Sequence, residues 1–285
     1  MIRSTLTHHA PERLADATAL LAEHGAAAAV LGGGTVLLPA MVRGERTHRH
    51  VVDLRRLELV FVQAEAGWAE IGAMTTYAQV LASEELTGSA ALLRRAAAGI
   101  TGGAQLRNQG TVAGSAAYAN PASDMPGCLV AAGAVLRLHG PDGPREVPAA
   151  EFFRGAFTTA LRPAEMVVTV RVPLRPARIG YYKLKLSESS WPIATAAVTV
   201  EVSADGVTSA AVTLGAVAAQ PITIDVAEHL SAQGALRDEV GFDEFVRSRV
   251  DEPWDDELAP ASYRREVAGV VARRALKQTE DGEQR

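Results

Sequence analysis

The sequence predicts an α+β protein, with a small parallel α/β unit at the start, antiparallel strands and helices in the middle, and an antiparallel sheet followed by helices at the end. Three observations predict it. Short apolar runs alternate with helical periodicity over the first 57 residues, closely spaced strands joined by glycine turns follow, and three apolar runs of strand length come after position 178. The 285 residues, 48 % hydrophobic and 21 % charged, are enough for two globular domains.

The first 57 residues predict the order helix, strand, loop, helix, strand. Apolar side chains recur at helical spacing over 11–24, and Gly25 is a natural residue to end a helix. Apolar runs of strand length follow at 26–31 and 51–54, with a short helix beginning at 36–38 between them. This order is that of a small parallel α/β unit.

The next part of the chain, 58–175, predicts antiparallel pairing. Gly67 marks a turn between two short strands, and the segment 141–144 marks another turn. The predicted elements are strands 61–64 and 68–71, helices 90–98 and 121–132, and strands 135–139 and 167–172. We expect 1–175 to form the first domain.

The segment 173–178, Pro-Leu-Arg-Pro-Ala-Arg, has the composition of a linker, so the second domain is expected to be 176–285. Its predicted strands, the last two joined as a hairpin, are 181–186, 193–202 and 207–217. From position 226 onward helices are predicted, and the polar segment 279–285 is expected to be a disordered tail.

Charge and cysteine content exclude several classes of protein. The net charge is −5 and no basic block occurs, which argues against nucleic-acid binding. No apolar run approaches the ~20 residues that span a bilayer, and the start lacks the apolar core of a signal peptide. Cys128 is the only cysteine, so the chain forms no internal disulfide and cannot supply the four ligands of an iron–sulfur cluster. We expect a cytoplasmic protein without membrane insertion.

A first glycine-rich loop follows the strand predicted at 26–31. It reads Gly32-Gly33-Gly34-Thr35-Val36. Such loops bind phosphate because consecutive backbone N–H groups converge on an anion; the alternative is a tight turn without a ligand. The Gly-Lys-Ser/Thr of a P-loop is absent. A dinucleotide fingerprint stays open on spacing, because Asp53 lies 19 residues after Gly34, although Leu37 occupies the place of the third glycine.

A second glycine-rich stretch covers 100–126, where small side chains leave room for a ligand. Thr111 and Ser115 place hydroxyl groups on either side of Gly114, so several donors can face one ligand. The alternative is a turn that packs against the first loop. Asp124 either accepts hydrogen bonds from ribose or ribityl hydroxyls or is an acid in the first turn of a helix. Two such loops in one chain indicate that one extended cofactor is bound by both of them.

The histidines do not predict a metal site. A site needs three or four convergent ligands, and nothing near His48 and His50 or near His8 and His9 completes such a set. We therefore expect these four side chains to lie in solvated loops.

Two further candidates lie beyond the linker. Lys183 is on the strand predicted at 181–186, where a cation suits a phosphate or an electron-rich ring; a surface lysine is the alternative. Trp191 precedes a proline, and it either stacks on a cofactor or packs in the core.

These glycine-rich motifs, read together, resemble those of the FAD-binding medium subunit of molybdenum hydroxylases, the flavoprotein of carbon monoxide dehydrogenase, xanthine dehydrogenase and nicotine dehydrogenase type complexes. The family's first loop reads approximately Ala-Gly-Gly-x-Ser/Asp-Leu-Leu-Pro, which aligns with 32–39. The positions that match its second motif are Gly102, Gln105, Arg107, Asn108, Gly110, Thr111, Gly114, Ala119, Pro121, Asp124 and Pro126. Further similar segments are 71–76, 152–160, 182–185, 262–265 and 273–276, so the resemblance covers nearly the whole chain.

The resemblance implies a fold and a cofactor. The fold is a two-subdomain FAD-binding domain of the vanillyl-alcohol-oxidase (PCMH-like) type, with subdomains of about 1–57 and 58–175, followed by a three-stranded antiparallel sheet with a helical bundle. FAD is the implied cofactor, its pyrophosphate on the loop 32–36. The other residues that the resemblance places around FAD are Thr111, Gly114 and Ser115 along its second side, Asp124 on its polar chain and Lys183 near the flavin.

The resemblance also implies a division of labour between subunits. A large subunit with a molybdenum cofactor oxidises the substrate, a small subunit carries two [2Fe–2S] clusters, and electrons pass through FAD on this chain to an external acceptor. No covalent catalytic residue is needed, because the cofactor carries the chemistry.

Five positions depart from the family pattern: Val36, Ala113, Ser115, Tyr118 and Asn120. They keep one alternative open, a nucleotide-binding or assembly protein that has the fold without FAD. A second alternative, which does not depend on these positions, is a flavin oxidoreductase that acts without partners.

Overall fold

The structure, a computed structural model, describes residues 5–280. In that part of the chain, fourteen strands form three sheets and one two-stranded ribbon, with ten α-helices packed around them. The α+β class predicted from the sequence is confirmed. No helix in the described residues is long and apolar enough to cross a membrane.

The predicted parallel α/β unit is present, with one extra strand. Its elements are β1 (Thr7–His9), α1 (Leu14–His24), β2 (Ala28–Leu31), α2 (Leu37–Arg43) and β3 (His50–Asp53). The strands are parallel in the order β1-β3-β2. The expectation that His8, His9 and His50 lie in loops is wrong, because pairing with β3 makes the polar segment around His8 a strand.

The central part of the chain forms an antiparallel sheet flanked by helices. Its elements are β4 (Val62–Glu65), β5 (Trp68–Gly72), α3 (Tyr77–Ala82), α4 (Ala91–Gly99), α5 (Gly103–Arg107), α6 (Val112–Tyr118), α7 (Asp124–Ala131), β6 (Val135–Gly140), β7 (Gly143–Pro148), α8 (Ala149–Phe152), β8 (Phe153–Gly155), β9 (Thr158–Thr159) and β10 (Met166–Pro173). The sheet order is β4-β5-β10-β6-β7, and β8 and β9 form the ribbon. Helices α5 and α6 were missed, since glycine disfavours helix; Thr111 stabilises α6 by accepting a hydrogen bond from the Gly114 N–H at 3.0 Å.

The last part of the chain is an antiparallel sheet covered by two helices. Its elements are β11 (Arg178–Lys185), β12 (Pro192–Ser203), β13 (Gly206–Gly215), β14 (Ile222–Asp225), α9 (Glu239–Ser248) and α10 (Ala261–Glu280). The strands pair in chain order, so the three predicted strands gain a short fourth one, β14. The expectation of continuous helix after 226 is wrong, because irregular segments precede both α9 and α10.

Helix α10 is held to the sheet by a buried arginine. The Arg264 side chain is fully buried and donates to the carbonyl oxygens of Ile193 and Ala216, and it also pairs with Asp256. The expected tail begins too early, since α10 includes Thr279, whose hydroxyl bonds to the Leu276 carbonyl within the helix. Positions 281–285 lie outside the described residues.

The helices α4 and α7 connect the central and last parts of the chain. Both pack against the sheet that begins with β11, and α7 lies on β12 and β13. The connection between β10 and β11 is also fixed, because the Ser89 hydroxyl donates to the Pro173 carbonyl at 2.7 Å and the Ser89 N–H donates to Arg175. This packing brings residues of β11 next to the first turn of α7.

Candidate functional site

The two glycine-rich stretches lie directly against each other. A Cβ atom placed on Gly33 would stand 1.8 Å from the carbonyl oxygen of Gln109, so only glycine fits at this contact. A Cβ on Gly32 would lie 3.5 Å from the Thr111 hydroxyl oxygen. Gly34 has a φ of +70°, in the left-handed region that favours glycine. We call the segments 32–36 and 109–115 together the two-loop cradle.

The first loop of the cradle presents unpaired backbone donors. Within the described chain, no group accepts a hydrogen bond from the backbone N–H of Gly33, Gly34, Thr35 or Val36. These residues are half-buried. Consecutive N–H groups in a glycine-rich turn form a concave donor surface, which suits a phosphate or pyrophosphate.

The second segment of the cradle is the start of α6. Thr111 is buried and caps this helix, whereas Gly114 is exposed and Ser115 is half-buried. The Tyr77 ring packs against this segment. Burial raises the pKa of Tyr77 to about 12, although a hydrogen bond with Ser115 acts to lower it. Tyr77 is therefore neutral at physiological pH, and its ring supports the backbone at Gly110, where a Cβ would approach the ring to 2.7 Å.

Asp124 and Lys183, both predicted site residues, form a buried ion pair. The Lys183 ammonium lies 2.9 Å from one Asp124 oxygen and donates to the Gly99 carbonyl at 2.9 Å, while the Tyr181 hydroxyl lies 2.5 Å from the other Asp124 oxygen. The two side chains of the pair are only 7 % and 4 % exposed. Burial raises the pKa of Asp124, and the charge of Lys183 and the two hydrogen bonds oppose that shift.

The remaining predicted residues are Trp191 and Asp53, and Asp53 pairs with Leu31 directly before the first loop of the cradle. Trp191 is 43 % exposed on the turn between β11 and β12. Asp53, the possible ribose-binding acid, is buried and accepts hydrogen bonds from Arg55 and His8. Because both Asp53 oxygens already accept hydrogen bonds inside the protein, Asp53 is not available to bind a ribose hydroxyl, and the dinucleotide-binding interpretation is not supported.

Sequence reasoning missed Tyr77, Gly99 and Tyr181. Tyr181 carries a signal that was available, since it lies two residues before Lys183 on one strand and so shares its face of the sheet. Gly99 and Tyr77 carry no such signal, because their neighbours are distant in the chain.

The departures from the family pattern are accommodated locally. The Ala113 side chain is buried in the main core, and Tyr118 packs against Phe157 with ring centroids 5.3 Å apart. Asn120 accepts a hydrogen bond from the Ala122 N–H at 3.0 Å. Val36 precedes α2 without a capping hydrogen bond from its side chain, so this turn depends on backbone donors.

Two family models match the chain in succession. Residues 4–175 match the model described as the FAD binding domain in molybdopterin dehydrogenase. Residues 180–279 match the CO dehydrogenase flavoprotein C-terminal domain. Together the two models account for most of the chain.

Similar proteins cover the chain almost end to end. The carbon monoxide dehydrogenase medium chain of Afipia carboxidovorans is 35 % identical over 281 residues, and 97 % of each chain is covered. The protein of the same name from Hydrogenophaga pseudoflava is 32 % identical, with 97 % of each chain covered. The glyceraldehyde dehydrogenase medium chain of Sulfolobus acidocaldarius is 30 % identical, with 87 % of this chain and 89 % of that one covered.

Solved structures agree with the sequence matches. A chain of the cyanide-inactivated Cu,Mo-CO dehydrogenase superposes with a TM-score of 0.89 at 32 % identity, covering 99 % of this chain and all of that one. A chain of the Hydrogenophaga pseudoflava carbon monoxide dehydrogenase superposes with a TM-score of 0.87 at 33 % identity, covering 98 % of each.

Proposed function

The chain belongs to the FAD-binding flavoprotein subunits of the molybdopterin dehydrogenases, and from this membership we propose that it passes electrons through FAD within a larger oxidoreductase complex. It is an oxidoreductase subunit with FAD as cofactor. Bound FAD supplies a centre that accepts and releases electrons, and the protein's part is to bind, orient and shield it.

The unpaired donors of the two-loop cradle support this proposal most directly. The N–H groups of Gly33, Gly34, Thr35 and Val36 have no acceptor in the described chain, and a pyrophosphate offers oxygen acceptors. The close contact at Gln109 fixes the first loop against the second. The residues present therefore fit the cofactor, with 32–36 holding the pyrophosphate.

The other roles follow from position and hydrogen bonding. Thr111 holds the first turn of α6, which presents Gly114 and Ser115 toward the cofactor's second side. The polar atoms of Asp124 and Lys183 are hydrogen-bonded within the protein, so the pair is proposed to position the backbone beside the cofactor's polar chain and flavin. The exposed indole of Trp191 is the aromatic surface proposed for stacking on the cofactor.

The proposed partners are a large subunit with the molybdenum cofactor and a small subunit with [2Fe–2S] clusters. The similar chains are medium chains of dehydrogenases, and this chain's single, buried cysteine cannot ligate a cluster alone. Electrons would enter from the clusters and leave to an external acceptor. We propose that 1–175 binds FAD, that 176–285 is a second domain, and that the complex is cytoplasmic.

Reconstitution with the two partner subunits tests the electron route. The complete complex should transfer electrons from substrate to an external acceptor, and the flavin absorbance should bleach when substrate is added without acceptor. A complex with Gly33→Ala, which forces the two loops of the cradle apart, should still reduce its iron–sulfur clusters but should lose transfer to the acceptor.

The alternatives predict other outcomes. A chain that reduces an acceptor at full rate without partners would be a stand-alone flavin oxidoreductase. A chain that joins the complex without taking up FAD would be an assembly protein.

Gly127→Ala is the matched control for Gly33→Ala, because a Cβ at Gly127 meets only ordinary contacts of 3.5 Å or more.

A further inference from the structure

Three histidines from separate elements meet at one edge of the first sheet. His9 ends β1, His24 ends α1 and His50 begins β3. One ring nitrogen of each can be chosen so that all three lie within 4.8 Å of one another. We call these residues the histidine triad; they are far apart in the sequence, which is why the sequence did not predict a site.

The triad offers lone pairs rather than a saturated hydrogen-bond network. His9 Nε2 and His50 Nδ1 are 3.0 Å apart, and this is the one hydrogen bond that the triad's ring nitrogens make within the described residues. His24 stacks on His50 with ring centroids 3.7 Å apart, and its nearest carboxylate, on Glu23, is 3.9 Å away. All three residues are half-buried.

We propose that the histidine triad binds one divalent transition-metal ion of the zinc type. Neutral imidazole is a preferred zinc ligand, and three imidazoles plus water complete a four-coordinate site. Zinc–nitrogen bonds of ~2.0–2.1 Å place two ligand nitrogens of a tetrahedral site roughly 3.4 Å apart, close to the His9–His50 separation. Binding requires the stacked rings of His24 and His50 to turn so that both point at the ion.

The site is separate from the cradle. The loop 32–36 follows Leu31 at the carboxyl end of β2, whereas His50 pairs with Ala28 at the amino end of that strand and His24 ends the helix before it. The end of α1 also carries the negative end of the helix dipole, which favours a cation. The ion would therefore join β1, α1 and β3 and stabilise this unit without taking part in electron transfer.

Calorimetric titration of the full-length, FAD-loaded chain with zinc chloride tests the proposal, using protein without a polyhistidine tag. The wild type should bind one ion per chain, and its melting temperature should rise with added zinc. His24→Asn should weaken binding by more than about 100-fold, beyond the roughly 10- to 100-fold cost of losing an outer partner of a ligand. His48→Asn is the matched control, since this histidine lies just before β3 outside the triad.

X-ray absorption on the zinc-loaded wild type keeps the test independent of how the variants fold. The expected spectrum shows nitrogen neighbours with the outer-shell scattering of three imidazoles. Absence of saturable binding, a first shell without three imidazoles, or equal weakening by His24→Asn and His48→Asn in folded chains would each overturn the proposal.

Discussion

The two-loop cradle and the Asp124–Lys183 pair are built in opposite ways. The cradle works through backbone: glycines let the two loops touch, and the N–H groups of its first loop have no partner among residues 5–280, which leaves them for a ligand. The ion pair works through side chains, and its charges are satisfied within the protein. The cradle is therefore a binding surface where even one added methyl group should interfere. In the buried pair, removing one charge leaves the other unpaired, so the two charges must be removed together to limit the loss of stability.

The largest expected effect is that of Lys183→Met. It leaves the Asp124 carboxylate buried without its cation, so the free energy of unfolding should fall by about 3–5 kcal/mol at pH 8. The loss should be smaller in acid, because burial already raises the pKa of Asp124 and protonation removes the unpaired charge. Urea denaturation at several pH values measures both.

Lys185→Met is the control for this prediction on the same strand. Lys185 pairs with Glu188, which is exposed, so its loss should change the free energy of unfolding by less than about 1 kcal/mol. Adding Asp124→Asn to Lys183→Met should restore part of the stability, since no charge then remains buried. Equal losses in Lys183→Met and Lys185→Met would contradict the ion pair's role.

Gly33→Ala should have the next largest effect. Its Cβ would stand 1.8 Å from the Gln109 carbonyl oxygen, so the two loops must separate, at about 1–3 kcal/mol. We expect FAD affinity to fall roughly 10- to 100-fold, measured by fluorescence titration of the folded apoprotein. Gly127→Ala, with ordinary contacts at its Cβ, should keep wild-type affinity.

Thr111→Ala should have a moderate effect on both stability and binding. Loss of the cap on α6 lowers the free energy of unfolding by about 1 kcal/mol, and the loosened turn should weaken FAD binding by up to about tenfold. As a control, Asp238→Ala removes the cap of α9. It should lower the free energy of unfolding by about as much as Thr111→Ala but leave FAD binding unchanged. Equal FAD affinity in the two variants would place the start of α6 outside the site.

The smallest expected effect concerns Asp53. Burial would raise its pKa, but the hydrogen bonds from Arg55 and His8 outweigh burial and hold that pKa below its usual 3.8. Its stabilising contribution, on the order of 1 kcal/mol, should be present above pH 3.8 and disappear as the pH falls through the lowered pKa. The difference in unfolding free energy between wild type and Asp53→Asn, measured from pH 7 to pH 3, should shrink in acid, with FAD still bound at neutral pH.

Local patterns predicted the parallel unit and both glycine-rich loops. Apolar periodicity is a local property, so it located α1, β2 and β3. It missed β1 and α6, because the polar segment Thr7–His9 takes its structure from pairing with a distant strand and the segment 112–118, with small side chains around Gly114, depends on the cap at Thr111. The Asp124–Lys183 pair joins residues 59 positions apart, and the sequence identified both residues through the family motif without showing that they touch.

The FAD content of the isolated full-length chain tests the central claim most directly. The chain is purified, its flavin is released and quantified, and the apoprotein is titrated with FAD beside Gly33→Ala and Gly127→Ala. The account predicts a yellow protein with close to one FAD per chain, saturable rebinding by wild type and Gly127→Ala, and much weaker rebinding by Gly33→Ala. A colourless chain that takes up no FAD, or equal affinity in all three proteins, would contradict it.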